Sequence, residues 1–182
     1  MHSSRRPTGF YSIIDVDSLN GDVGTAAHKI LDSGVQWIQL RAKNNSARDM
    51  AHHAETLLEL CHGYDATLIV NDRVDVCMSV GAHGVHLGQD DMRPEDARKL
   101  VGSSTIIGAS THNLAQAVSA EDEGNADYIG VGPIFSTISK LKPDPTLGIE
   151  TLREICSKVS IPVVAIGGIT LDQCQTIRAC GA

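Results

Sequence analysis

Seven apolar runs of strand length, each followed by apolar residues at helical spacing, constrain this chain more than any other feature. The runs begin near residues 10, 35, 67, 83, 105, 127 and 161. They are apolar at consecutive positions, as in Leu68-Ile69-Val70. That is the pattern of strands covered on both faces. Strand–helix alternation of this regularity demands a parallel sheet with helices outside it. The expected fold is α/β, a TIM (βα)8 barrel, with only seven βα units present in the sequence. An open doubly wound sheet fits less well, because no glycine-rich loop follows the first strand.

Local signals support the alternation. Val23, Ala26, Ala27, Ile30 and Leu31 recur at helical spacing, and Gly34 follows as a helix terminator. Ser46 with Asp49 three residues later resembles a capping box. Pro94 suits a first helical turn. The expected strands are 10–14, 35–40, 67–70, 82–87, 105–109, 127–131 and 161–166, with a final helix from Leu171. A loop rich in Gly, Pro, Ser and Lys runs from Gly132 to Leu147, and loops of this length inside a compact domain usually carry function.

The 182 residues suffice for one core. Residues 1–9 read as a flexible N-terminal tail without the apolar stretch of a secretory signal. Residues 10–182 read as a single (βα) barrel domain lacking its C-terminal strand and helix. A formal charge of −7, with no basic cluster longer than Arg5-Arg6, argues against nucleic acid as a partner. No apolar run approaches 18 residues, which argues against a membrane span. Five cysteines without a C-x-x-C pair read as thiols in a reducing compartment, so the expected location is cytoplasmic.

Polar residues cluster just after the strands, the face on which barrels of this class carry their sites. Strand two ends in Gln39, Arg41 and Lys43, strand three in Asn71 and Asp72, and strand four in Gln89, Asp90 and Asp91. Strand five gives Ser110 and His112, the next loop gives Thr137, Ser139 and Lys140, and strand seven gives Gly167 and Gly168. Two adjacent carboxylates about 4 Å apart repel by roughly 4 kcal/mol at an effective dielectric of 20. A divalent ion reverses that sign, so Asp72 and Asp91 are the metal candidates. Oxygen ligands favour Mg²⁺ carrying phosphates. The competing reading is that either aspartate caps a helix. Arg41 and Lys43 suit a pyrophosphate, the first as a rigid fork and the second as a point charge, or they form a solvated edge. Gly168 opens a turn whose free N–H groups suit a phosphate. His83 and His86 are expected to face opposite sides of one strand, each as a packed histidine rather than a zinc pair. His112 reads either as a general base or as a hydrogen-bonded loop residue.

As a set, the sequence resembles the thiamine-phosphate synthase family. The matching pieces are Q-L-R-A-K (39–43), V-N-D-R (70–73), G-V-H-L-G-Q-D-D (84–91), G-A-S-T-H (108–112), D-Y-I-G-V-G-P-I-F-S-T-I-S-K (127–140) and P-V-V-A-I-G-G-I (162–169). The resemblance implies a (βα)8 barrel that couples 4-amino-5-hydroxymethyl-2-methylpyrimidine pyrophosphate to a thiazole phosphate, releasing pyrophosphate with Mg²⁺. By similarity, Asp72 and Asp91 would hold the metal. Gln39, Arg41, Lys43, Asn71, Ser110 and Lys140 would contact the pyrimidine substrate, with Arg41, Lys43, Ser110 and Lys140 serving catalysis. Thr137, Ser139 and Gly168 would hold the thiazole phosphate. Ser139 departs from the threonine common in the family but keeps the hydroxyl. The sequence ends before the eighth strand expected of the family. A homo-oligomer is compatible with the resemblance. The alternatives are a thiazole tautomerase of the related family, using a histidine near His112, and a catalytically impaired barrel that binds thiamine phosphates.

Overall fold

A computed structural model describes residues 5–122, 125–137 and 145–182. Seven parallel strands alternate with seven helices among these residues. The strands are β1 (Tyr11–Asp15), β2 (Trp37–Arg41), β3 (Thr67–Asn71), β4 (Gly84–Leu87), β5 (Ile106–Thr111), β6 (Tyr128–Val131) and β7 (Val163–Ala165). They pair strictly in chain order, from β1 to β7. That order excludes the doubly wound arrangement, which reverses direction part-way through the sheet. Within the described residues β1 and β7 each pair on one side only, so the barrel is open and incomplete.

The helices are α1 (Val23–Asp32), α2 (Ala47–Gly63), α3 (Val74–Val80), α4 (Pro94–Val101), α5 (Leu114–Asp122), α6 (Gly148–Lys158) and α7 (Cys174–Ala179). Their boundaries follow local chemistry. Asp22 accepts from the Thr25 backbone N–H at the start of α1, and Gly34 follows the helix with φ +89°. Ser46 caps α2 by accepting from the Asp49 N–H, and its hydroxyl donates to the Asp49 carboxylate in return. Pro94 occupies the first turn of α4.

Parity along the strands builds two separate interiors. Ile38, Leu40, Leu68, Val70, Val85, Leu87 and Ile107 point outward and pack with the helices that follow. Ala109, Ile129 and Val131 do the same beneath α5 and α6. The other parity faces the barrel axis, where Trp37, Ile69, Ile106 and Tyr128 form a small apolar layer with Tyr11 and Val164. Above that layer, towards the C-terminal strand ends, the inward positions turn polar: Gln39, Asn71, His86 and Ser110. A period of two therefore sorts the site residues from the core residues within each strand.

Several strand limits differ from those the sequence suggests. β5 continues through Ser110 and Thr111, which pair with Gly130 and Val131. β7 is shorter than expected, at Val163–Ala165, and all three of its residues pair with β6. The segment from Leu171 begins as a 3-10 turn (Leu171–Gln173) before α7.

Candidate active site

The site lies where β2, β3 and β4 end. Asn71 closes β3 and is almost fully buried. The chain then turns sharply. The Arg73 N–H donates to the Asn71 carbonyl at 2.8 Å, with Asp72 between them at φ +63°. A hydrogen bond across three residues with positive φ at the centre is the rarer, strained form of γ-turn. For a residue with a side chain this conformation costs on the order of 1–3 kcal/mol, and such strain gathers at functional positions. The turn is anchored by the Asp72 N–H, which donates to the His86 carbonyl of β4 at 2.8 Å.

Asp91 is placed by its own loop. Its Oδ2 accepts from the Gly88 N–H at 2.7 Å. A Cβ at position 88 would lie 2.8 Å from the same oxygen, so a larger residue there would displace the Asp91 carboxylate from this place. The two carboxylates line one depression of about 240 Å³ together with Lys43, Asn45, Asn71 and Arg73. Burial, and then the neighbouring Asp91 carboxylate, push the Asp72 carboxyl up to about 6, against the opposing pull of Lys43. Lys43 reaches Asp72 Oδ2 at 3.4 Å, a loose ion pair rather than a tight one. No three His, Cys, Asp or Glu side chains converge in metal-binding geometry among the described residues. A carboxylate whose charge is disfavoured by burial and by its neighbour still fits, with that neighbour, a divalent ion that keeps waters and phosphate oxygens as its remaining ligands.

Arg41 stands beside this depression at the end of β2 and pairs with Asp15 at the end of β1. The two residues are also register partners in the sheet. Asp15 holds one side of the guanidinium, which fixes the fork in place. Asp15 was not among the residues singled out from the sequence, although an acidic residue at the end of an apolar run is the same signal that singled out Asp72.

Deeper in the barrel, five inward side chains form one hydrogen-bonded chain. Gln39 Nε2 donates to the Tyr11 hydroxyl at 2.8 Å, and Tyr11 meets the Tyr128 hydroxyl at 2.8 Å. Tyr128 meets His86 Nδ1 at 2.9 Å, and His86 Nε2 meets Ser110 Oγ at 2.9 Å. Burial pushes the His86 imidazole down to about 4 and raises both phenols, so the whole chain is neutral near pH 7. Gln39 and Ser110 were expected site residues, and the chain joins them through three residues that were not.

His83 does face away from His86: it lies against His62, and its Nδ1 accepts from the Leu68 N–H. His112 Nδ1 donates to the Gly132 carbonyl at 2.6 Å. Gln89 Nε2 donates to the Ser110 carbonyl.

On the far side of the mouth, the start of the β6–α6 loop lies against the end of β7. The Ile134 and Phe135 N–H groups donate to the Ile166 and Gly167 carbonyls, each at 2.9 Å. Gly168 has φ +64°, and a Cβ there would lie 2.4 Å from the Ser136 carbonyl oxygen. Ser136 and Gly168 are therefore brought together, and Thr137 is the next residue along the chain. Ser139 and Lys140 lie outside the described residues. Gly168 does not itself open the next helical turn. Thr170 and Gln173 form a complete capping box there and satisfy two of its donors.

The model for the family described as thiamine monophosphate synthase matches residues 10–182. The chain belongs to that family. A thiamine-phosphate synthase from Koribacter versatilis is 40% identical over 187 residues, spanning 100% of this chain and 88% of its own length. One from Chlorobium phaeovibrioides is 47% identical over 158 residues, spanning 87% of this chain and 75% of its own. The solved thiamine phosphate pyrophosphorylase of Pyrococcus furiosus is 41% identical and superposes with a TM-score of 0.85, over 94% of this chain and 81% of that one. Thiamine-phosphate synthase family membership supports enzymatic activity of that family for this chain, and the transferase and thiamine-biosynthesis assignments follow from it. Among the described residues no helix is long and apolar enough to cross a membrane.

Proposed function

We propose that the chain joins 4-amino-5-hydroxymethyl-2-methylpyrimidine pyrophosphate to 4-methyl-5-(2-phosphoethyl)thiazole, giving thiamine phosphate and pyrophosphate. The observation that carries this reading is the Asp72–Asp91 carboxylate pair, set beside Lys43 and Arg41 at the ends of neighbouring strands. An acidic pair with Lys43 on the same depression suits a metal-bound pyrophosphate. Mg²⁺ held by Asp72 and Asp91 would offset negative charge on the departing pyrophosphate.

The chain's own residues then divide the work. Arg41 grips pyrophosphate oxygens with the half of its fork that Asp15 leaves open, and Lys43 turns from Asp72 to the same group. Lys140 supplies a third cation. These charges stabilise the leaving group as the carbon–oxygen bond at the pyrimidine methylene breaks. Gln39, Asn71 and Ser110 hold the pyrimidine ring in the polar upper layer of the barrel. Thr137, Ser139 and Gly168 hold the thiazole phosphate across the mouth. The thiazole nitrogen would form the bond to the methylene carbon that the departing pyrophosphate gives up. The ring nitrogen is already a nucleophile, so no protein side chain has to attack or remove a proton from it. Water would otherwise capture the cationic pyrimidine, and its exclusion is the role proposed for the segment from Gly132 to Leu147, of which residues 138–144 lie outside the described residues.

The test is Asp91→Ala assayed for pyrophosphate release with both substrates and saturating Mg²⁺. The expected result is near-complete loss of turnover, and wild-type turnover would remove the metal assignment.

A further inference from the structure

We propose that Tyr128 and His86 order the protons along the buried chain so that Ser110 presents its hydroxyl as a hydrogen-bond donor to a ring nitrogen of the aminopyrimidine. The proposal rests on the pyrimidine-pyrophosphate reading above. Its argument begins at the other end of the chain.

The Gln39 amide nitrogen can only donate, and it donates to the Tyr11 oxygen at 2.8 Å. Tyr11 has one hydrogen left to place, and the acceptor within reach is the Tyr128 oxygen at 2.8 Å. Tyr128 accepts that hydrogen and must pass its own to His86 Nδ1 at 2.9 Å. A neutral imidazole that accepts at Nδ1 carries its hydrogen at Nε2. Nε2–H then donates to Ser110 Oγ at 2.9 Å. The Ser110 oxygen is thereby engaged as an acceptor on the His86 side, and its own hydrogen is free for a group in the mouth. An aminopyrimidine ring nitrogen is such an acceptor. With the order reversed, Ser110 would spend its hydrogen on His86 and offer the ring only lone pairs, which repel those of the ring nitrogen.

Two glycines make room for this arrangement. A Cβ at Gly108 would lie 2.2 Å from Tyr128 Cζ and 2.5 Å from His86 Nδ1. A Cβ at Gly130 would lie 3.1 Å from His86 Cε1. The strands on which Tyr128 and Ser110 stand therefore give up side chains opposite the imidazole. His86 and Tyr128 touch no substrate in this reading and act as positioning residues through Ser110.

The test uses nitrogen-15 NMR of the histidine rings in the substrate-free full chain, together with steady-state kinetics. The expected wild-type signal for His86 is the neutral Nε2–H tautomer. Tyr128→Phe removes the hydrogen that Nδ1 accepts. It should leave His86 a tautomer mixture and lower kcat/KM for the pyrimidine pyrophosphate about tenfold, the equivalent of one neutral hydrogen bond. The KM for the thiazole phosphate should not move. An Nδ1–H tautomer in the wild type overturns the proposal, even if Tyr128→Phe fails to fold. So does a disordered tautomer in Tyr128→Phe with unchanged kcat/KM. A wild-type chain that shows Nε2–H yet releases no pyrophosphate refutes the reaction and supports the proton order.

Discussion

Asp72→Asn should make the metal-free protein more stable while abolishing its activity. The unfolded chain ionises this carboxyl near its ordinary value of 3.8, whereas the folded protein keeps the proton up to about 6. The stabilisation from the protonated group is complete below pH 3.8. It is lost as pH rises through 6, so at pH 8 the fold carries the full cost of a charge buried beside Asp91. At about 1.4 kcal/mol per pH unit, the difference is about 3 kcal/mol. The Asp72 side chain is 21% exposed, and screening by that solvent trims the figure to about 2–3 kcal/mol. Asparagine has the shape of the protonated acid and is among the residues that best tolerate positive φ, so the γ-turn survives. The shift in Tm for a chain of this size is roughly 4–12 °C. Thermal and urea unfolding at pH 8 with a chelator measures the gain, which should shrink towards zero at pH 4. Adding Mg²⁺ should raise the wild type and not the variant, because only a group that binds the native state stabilises it. A variant no more stable than wild type at pH 8 refutes the buried repulsion. A gain of equal size at pH 4 refutes its electrostatic origin.

His86 contributes in the opposite direction. The unfolded imidazole takes up a proton below its ordinary 6.5, and the folded one refuses it until about 4, so the wild type loses about 3 kcal/mol across that window on acidification. His86→Gln should lack this part of the acid loss in urea titrations from pH 7 to 4. Each variant must be compared with wild type at every pH, because the Asp72 and His86 windows overlap. Gly108→Ala should destabilise the fold by about 1–3 kcal/mol or more, since its Cβ would lie 2.2 Å from the Tyr128 ring; an unchanged urea midpoint would contradict that packing. Arg41→Lys keeps the charge but loses the fork held by Asp15, and it should lower kcat/KM for the pyrimidine pyrophosphate by about 10–100-fold, as the loss of one or two charge-assisted hydrogen bonds implies.

The alternation of strands and helices was legible because each buried parallel strand is a continuous apolar run, and because caps such as Ser46 and Gly34 mark the helix ends. The acidic pair was legible for a related reason: Asp72 and Asp91 interrupt apolar runs that parallel pairing places side by side. Ser110 and Thr111 were read as loop because they are polar, yet their backbone stays in the ladder with β6. The interior chain was not legible. Tyr11 and Tyr128 look like ordinary strand residues, and their contact joins positions 117 residues apart. Local pattern carries no information over that distance. The glycines at 108 and 130 were a faint signal, because a strand gives up side chains only where something bulky lies opposite.

Strict parity also bears on how the chain finds its register while folding. A slip of one residue would turn Gln39, His86, Ser110 and the Tyr128 hydroxyl under the helices and bring apolar neighbours to the mouth. Each polar group left without a partner there costs about 1–3 kcal/mol. Four of them together cost roughly as much as the whole stability of a typical domain. The polar upper layer thus discriminates against misaligned strands before any substrate is present, and Gln39 and Ser110, which would hold the pyrimidine, share that task with His86 and Tyr128, which would not.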